Sequence, residues 1–170
     1  MKKIILLSML LLIILQSAVF GQSVKIGYVD KVKVLTDLKS WQNADKSLLQ
    51  MKENAEFELQ RMLTEADSLS GVLQNQMMLT ETMRAQLQEK IEQISRDYQR
   101  TGITRQQEIL QKENDLKAPI LLGFNETIRK LGIDENFMLI YDNTVNSILF
   151  ASGGRDLTEQ ILFEMRKKFE

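Results

Sequence analysis

The dominant pattern in the sequence is a pair of apolar stripes, in which hydrophobic residues recur every three or four positions across residues 41–118. The first stripe consists of Leu48, Met51, Ala55, Leu59, Met62, Ala66, Leu69 and Leu73. The second, sparser stripe consists of Met83, Leu87, Ile91, Ile94, Tyr98, Ile109 and Leu116. These spacings lie close to the 3.5-residue repeat of a coiled coil, so they predict two long helices that pack along their stripes.

The segment between the stripes carries the signal for a turn. Thr80 or Thr82 is suited to N-cap a new helix, with Glu81 in its first turn. A single helix over residues 41–118 would be about 115 Å long, whereas a bend near Thr80 gives two arms of about 35 residues and about 50 Å each. Because the stripes have similar lengths on either side of Thr80, the sequence predicts a helical hairpin.

The second stripe is interrupted around Gly102 and Arg105 by small or polar residues. Gaps in the packing there would let the arms bend. Alternatively, Gly102 is a tolerated helix glycine that costs about 1 kcal/mol. The pattern leaves both interpretations open.

Short strands are predicted at both ends of the hairpin. Residues 24–30 alternate apolar and polar side chains, and residues 137–141 and 147–151 are two apolar runs separated by a turn, which indicates a β-hairpin. Pro119 either begins a new helix or kinks a continuous one, and that helix ends near Gly132. A last helix is predicted with Asp156 as N-cap and Glu159 at the capping-box position.

The predicted fold is therefore α+β, with a small β-sheet head and a long inserted helical hairpin. Residues 22–40 and 119–170 form the head, and residues 41–118 form the coiled-coil arm. A head of about 70 residues has a marginal core, and association of several chains is a common remedy.

Residues 1–21 have the pattern of a cleaved secretory signal peptide. Lys2 and Lys3 precede an apolar run over residues 4–15, and small residues follow it. We expect cleavage after Gly21, which leaves Gln22 as the first residue. The alternative is an uncleaved anchor, but the apolar run is shorter than the roughly 20 residues needed to span a bilayer.

Composition restricts the chemistry available to the chain. The sequence has no Cys and no His, which excludes thiol nucleophiles, disulfides, a lipid-modified Cys, His-based proton transfer and the commonest transition-metal sites. We find no phosphate-binding loop, nucleotide fingerprint or metal cluster, and we expect no catalytic residue, no cofactor and no metal. Without Lys2 and Lys3 the chain has 20 basic and 23 acidic residues, so its net charge of −3 gives no case for nucleic-acid binding.

Several motifs in the predicted head point to one protein family. Residues 26–30 (Ile-Gly-Tyr-Val-Asp) and 33–35 (Lys-Val-Leu) resemble the opening strand of the Skp/OmpH family of periplasmic chaperones. Residues 118–120 and 137–142 resemble its closing helix and the strand that follows. Residues 148–151 and 156–158 (Asp-Leu-Thr) resemble its final strand and the start of its last helix.

The resemblance implies a homotrimer in the periplasm whose heads form a small β-barrel body. Long helical hairpins would enclose a cavity in which unfolded outer-membrane proteins are held without ATP, with transient proximity to a membrane. The expected residues at the centre of the head and of the trimer are Ile26, Tyr28, Leu139, Tyr141 and Leu149. The rival hypothesis is an envelope coiled-coil scaffold or adaptor whose hairpin docks one fixed partner.

Methionine-rich residues near the predicted turn are our candidates for client binding. Methionine is flexible and polarizable, which suits weak contacts with many partners. The candidates are Met77, Met78, Leu79 and Met83, although the same side chains would also serve to staple the turn shut. Met51 and Met62, by contrast, are expected to fill the seam between the helices.

Overall fold

Two long antiparallel helices extend from a small sheet and a short C-terminal helix. The computed structural model describes residues 24–75, 79–144 and 153–170. Its elements in chain order are β1 (Ile26–Val29), α1 (Lys31–Thr36), α2 (Lys39–Asn75), α3 (Glu81–Asp134), β2 (Leu139–Asp142), β3 (Arg155–Asp156) and α4 (Thr158–Phe169). The predicted α+β class and the helical hairpin are confirmed.

The start of α3 shows why the chain turns where it does. Thr80 is the N-cap with extended backbone, and its side-chain oxygen accepts a hydrogen bond from the Met83 N–H at 3.3 Å. Of the two predicted caps, the structure therefore uses Thr80. At the other end, Pro119 lies inside α3, so the second arm helix continues without a break into the head.

The sheet is parallel, with β1 at its centre and β2 and β3 on either side. The strand predicted over residues 137–141 is present as β2, and the strand predicted over residues 147–151 lies outside the described residues. Strand β3 occupies Arg155–Asp156, where the sequence predicted no strand and placed the N-cap of the last helix at Asp156. A strand of two residues is too short to produce the alternation by which strands are predicted.

The start of α4 also corrects the sequence prediction. Leu157, not Asp156, is the N-cap, while an Asp156 carboxylate oxygen accepts from the Thr158 N–H at 2.9 Å. The predicted capping box does not form. Glu159 instead accepts a hydrogen bond from the Lys33 ammonium at 2.6 Å, a longer-range contact that joins α4 to α1.

The head core is built around α4. Buried side chains from every neighbouring element meet its apolar face. They are Val29, Val34, Leu35, Leu38, Ile120, Phe124, Leu157, Ile161, Leu162 and Met165. Gly123 of α3 allows α4 to approach closely, because a Cβ atom there would come within 2.5 Å of the Phe169 ring.

The arm has a much smaller core. Among the described residues, its fully buried cluster consists of Leu48, Ala55 and Ile109, with Met51 and Leu116 packed against it. This confirms that Met51 fills the seam. The other members of the two stripes are half-buried, except Met83, which is exposed. The seam is therefore tightest near the head.

Candidate functional site

One face of the sheet brings together four of the five residues expected at the centre of the head. Strand β1 alternates between half-exposed Ile26 and Tyr28 and buried positions such as Val29, which face the head core. The register places Ile26 beside Leu139 and Tyr28 beside Tyr141. The ring centroids of Tyr28 and Tyr141 are 5.9 Å apart. The Leu139 side chain is 52% exposed. This face is apolar and is only partly covered by the residues that the structure describes.

The candidate client-binding residues near the turn are only partly within the described structure. Met77 and Met78 lie outside the described residues, as does Leu149 of the predicted head set. Leu79 is half-buried. Met83 is 51% exposed in the first turn of α3, so it is accessible to a partner.

The structure also shows exposed apolar side chains along the arm that sequence analysis missed. They are Leu49 (58% exposed), Phe57 (73%), Leu63 (41%), Ile103 (63%) and Leu110 (50%). None of them belongs to the two stripes. Their positions in the helical repeat would have indicated them. An apolar residue that lies outside the seam of a two-helix hairpin has no partner helix to cover it.

Ion pairs between the helices define two sides of the arm. Glu65 and Lys90 pair at 3.1 Å on one side. Asp45 and Lys117 pair at 2.8 Å on the other. On that second side, Leu49 lies in a shallow depression lined also by Asp45 and Lys117. We name these the Lys90 side and the Lys117 side.

Four of the five exposed apolar residues lie on the Lys117 side. Each residue of an α-helix is rotated by about 100° from the one before it. Measured from the seam, this rotation places Leu49 and Leu63 of α2 on the Lys117 side. The same rotation places Ile103 and Leu110 of α3 there as well. Both helices therefore contribute to one aliphatic surface, which we name the aliphatic side and define by these four residues.

The most elaborate polar contact of the arm lies where the second stripe is interrupted. The Arg105 guanidinium donates to both carboxylate oxygens of Glu58, at 2.8 and 3.3 Å, and to Glu108 at 2.8 Å. The hydrogen bond from Arg105 lowers the pKa of Glu58. The hydrogen bonds to Glu58 and Glu108 raise the pKa of Arg105. Glu58 and Arg105 therefore remain charged at neutral pH.

A second polar cluster connects the elements of the head. The Glu135 carboxylate accepts hydrogen bonds from Gln160 at 2.6 Å, Arg155 at 2.7 Å and Lys25 at 3.2 Å. These bonds, first from Gln160 and then from Lys25, lower the pKa of Glu135. The cluster connects the C-terminal end of α3 with α4, with β3 and with the chain before β1.

The described residues contain no group of three or more His, Cys, Asp or Glu side chains placed to hold a metal ion. Within the same ranges, no helix combines the length and the apolar character needed to cross a membrane. The structure exposes two apolar surfaces, the sheet face of the head and the aliphatic side of the arm.

Comparison with protein families gives a match to the outer membrane protein (OmpH-like) family over residues 25–165. The chain belongs to the OmpH-like family. The match begins just before β1 and ends within α4, so it includes both the head and the arm. No curated protein matches the sequence.

A solved structure of an OmpH-like protein has the same fold. It is a protein of Caulobacter crescentus CB15, provisionally assigned as an outer membrane chaperone, with a TM-score of 0.71 and 15% sequence identity. The similarity covers 87% of this chain and 88% of the other. The low identity means that the comparison supports the fold and leaves the surface chemistry to be argued from this chain's own residues.

Proposed function

We propose that this protein is an ATP-independent holdase chaperone of the periplasm that binds unfolded outer-membrane proteins and prevents their aggregation in transit. The observation that carries the proposal is the aliphatic side of the arm, where Leu49, Leu63, Ile103 and Leu110 are exposed to solvent. Membership of the OmpH-like family and the fold shared with a protein assigned as an outer membrane chaperone support it.

Holding would consist of many weak apolar contacts. Between Leu49 and Leu63 the helix rises about 21 Å, which matches about six residues of an extended chain. Strands of outer-membrane barrels alternate apolar and polar side chains, so a segment of that length presents about three apolar side chains to one side. Each contact is weak, and the client leaves when it buries the same side chains in its own folded barrel.

We further propose that the protein acts as a homotrimer, which is exported with the help of residues 1–21. Parallel sheets are usually covered on both faces, and the face with Ile26, Tyr28, Leu139 and Tyr141 is only partly covered by the residues the structure describes. Neighbouring heads are the simplest cover for it. Three arms around one cavity would then convert weak contacts into useful retention. The proposal requires no enzymatic activity and no cofactor.

The first experiment is to measure the mass of residues 22–170 by light scattering, alone and after dilution of a urea-unfolded outer-membrane β-barrel protein into the solution. We expect a trimer that takes up the barrel protein in a soluble complex. A stable oligomer beside which the barrel protein aggregates would instead favour the scaffold or adaptor hypothesis. A monomeric protein would contradict the proposal that three arms surround one cavity.

A second experiment locates the contact with the client. Replacing Leu49, Leu63, Ile103 and Leu110 with Ser should weaken suppression of aggregation and leave helix content and mass unchanged. Replacing Met77, Met78 and Leu79 with Ser tests the region near the turn in the same way. A matched control replaces Gln86, Gln93 and Gln111, exposed residues on the Lys90 side, with Ser. Equal suppression by the first variant and the control would reject the aliphatic side as the binding surface.

A further inference from the structure

The connection between β2 and β3 joins two strands that lie on opposite sides of β1. All three strands are parallel, in the order β2-β1-β3. The chain must therefore return from the carboxyl end of β2 to the amino end of β3 and also pass from one side of β1 to the other. Thr144 and Gly153 are the described ends of this connection, and residues 145–152 lie between them.

The sheet has two faces on which such a connection could run. The core face carries Gly27 and Val29 of β1 and is packed against the helices of the head. The other face, which we name the outer face, is defined by Ile26, Tyr28, Leu139 and Tyr141. The choice between the two faces follows from the handedness of the connections.

Connections between parallel strands of one sheet are right-handed in nearly all proteins. The connection from β1 to β2 contains α1, α2 and α3, and the head portions of these helices pack on the core face. The connection from β2 to β3 steps across the sheet in the opposite direction. Two right-handed connections that step in opposite directions must use opposite faces of the sheet. The second connection is therefore expected to cross the outer face.

The described residue directly before β3 already contacts the outer face. A Cβ atom at Gly154 would come within 3.3 Å of the Tyr28 ring and 3.9 Å of the Tyr141 hydroxyl. The chain thus enters β3 beside both tyrosine side chains of the outer face, at a distance that suits a residue without a side chain. This contact agrees with the path that handedness requires.

The β-hairpin predicted from the sequence offers a different path, but the chain is too short for it. A strand over residues 147–151 beside the free edge of β2 would lie three strand spacings from β3, about 14 Å. The four residues from Ala151 to Arg155 span at most about 13 Å when fully extended. Gly153, with φ of +80°, is not extended. A full hairpin partner of β2 within the same chain could therefore not lead into β3.

We propose that the outer face of the sheet is the docking surface for residues 145–152 of the same chain. The strand ends Asp142 and Arg155 are displaced by two strand spacings sideways and by about two residues lengthwise, or about 12 Å in all. A connection of about a dozen residues spans that distance with enough length to arch over the tyrosine rings. Its apolar residues match an apolar surface; they are Val145, Ile148, Leu149 and Phe150.

This docking changes how the head meets a second copy of the chain. Residues 145–152 bring Leu149 to the face that holds the other four residues expected at the centre of the head. If the heads associate as proposed above, each neighbour would meet the outward side of this connection and not the sheet itself. The docking rests on the topology of one chain, so it does not depend on the proposed function.

The test uses engineered cysteines, because the chain has none of its own. L139C places a thiol on the outer face, where Leu139 is 52% exposed. It is combined in turn with N146C, L149C and F150C, and each pair is treated with a short bismaleimide. The matched control is L122C/L149C, since Leu122 is similarly exposed, at 64%, but belongs to α3 on the other side of the head core.

We expect the L139C series to give a product linked within one chain, in more than half of the molecules for the best pair. The control pair should give less than a tenth of that yield. A denaturing gel distinguishes this product from links between chains, which double the mass. Links that form mainly between chains would overturn the proposal and assign the outer face to a neighbouring copy. No link throughout the series would also overturn it and leave the face open to other partners.

A second variant makes the test independent of the cysteine pairs. Replacing Val145, Ile148, Leu149 and Phe150 with Ser should uncover the outer face and raise the fluorescence of a bound anilinonaphthalene sulfonate dye several-fold, with helix content unchanged. L122S/I133S, which alters side chains that are already exposed, should give no such rise. Unchanged fluorescence in the first variant would overturn the proposal. Chains that link internally but fail to suppress aggregation before linking would reject the holdase proposal alone.

Discussion

The head and the arm of this protein differ in how completely they bury their apolar side chains. In the head, α4 is surrounded by β1, α1 and α3, and Leu157, Ile161 and Met165 have no exposed area. In the arm, two helices share a single seam, and apart from Leu48, Ala55 and Ile109 the stripes are only half-covered. The comparison teaches that the head supplies the stability, while the arm keeps apolar surface available to solvent.

This difference follows from geometry. A helix in a two-helix hairpin can bury only one stripe of its surface, because it has only one neighbour. Any further aliphatic residue must face the solvent, as Leu49 and Ile103 do. A helix in the head touches several neighbours, so most of its apolar side chains find cover.

The largest expected change in the free energy of unfolding comes from truncating a side chain of the head core. Leu162→Ala should lower the free energy of unfolding by about 2–5 kcal/mol, because it leaves a cavity beneath α4. Leu69→Ala, at a half-buried seam position of the arm, should cost about half as much or less, since less area is removed from water. Urea unfolding followed by circular dichroism measures both. Equal losses would show that the arm seam is as tightly packed as the head.

The same glycine substitution should have opposite signs in the two regions. Gly123→Ala in the head should destabilise by about 1–3 kcal/mol, because the new methyl group would meet the Phe169 ring. Gly102→Ala in the arm should stabilise by up to about 1 kcal/mol, because alanine is the better helix former and the space is open. Thermal unfolding of the two variants measures this. Destabilisation by Gly102→Ala would show that the arm needs this glycine for its conformation.

The architecture could be predicted from the sequence because the patterns that encode it either extend over many residues or involve close neighbours in the chain. The two stripes extend over many turns, and the Thr80 cap identifies where the chain reverses. Motifs of the head identified the family. The apolar grouping of Ile26, Tyr28, Leu139 and Tyr141 was expected, although the sequence did not show that they share a sheet face directed away from α4.

Other features depend on tertiary contacts that no local pattern encodes. Strand β3 exists because Gly27 and Tyr28 of β1 provide a pairing edge for Arg155 and Asp156. The predicted capping box does not form because the N-cap of α4 is Leu157, so Glu159 is one residue short of the capping-box position, and it pairs instead with Lys33, far away in sequence. The helical repeat could have indicated each exposed residue of the arm, but that residues from α2 and α3 form one aliphatic side depends on how the two helices pair in the folded hairpin.

Acidification should weaken the head through Glu135. Its pKa is lowered in the folded state by Gln160 and Lys25, so its contribution is complete above the ordinary glutamate pKa of about 4.3 and is lost as the pH falls through the lowered value. We expect Glu135→Gln to flatten the decline of stability below that pH, with unfolding followed by near-ultraviolet circular dichroism. An unaltered acid profile would assign the decline to other carboxylates.

The smallest effect should come from an exposed ion pair of the arm. Glu65 and Lys90 pair at 3.1 Å with both side chains about half-exposed, and pairs of this kind contribute about 0–1 kcal/mol, less at high salt. Glu65→Gln should therefore change the free energy of unfolding by no more than that, and the difference should vanish in 1 M salt. A larger, salt-resistant loss would show that polar contacts between the two helices of the arm contribute more to stability than exposed ion pairs usually do.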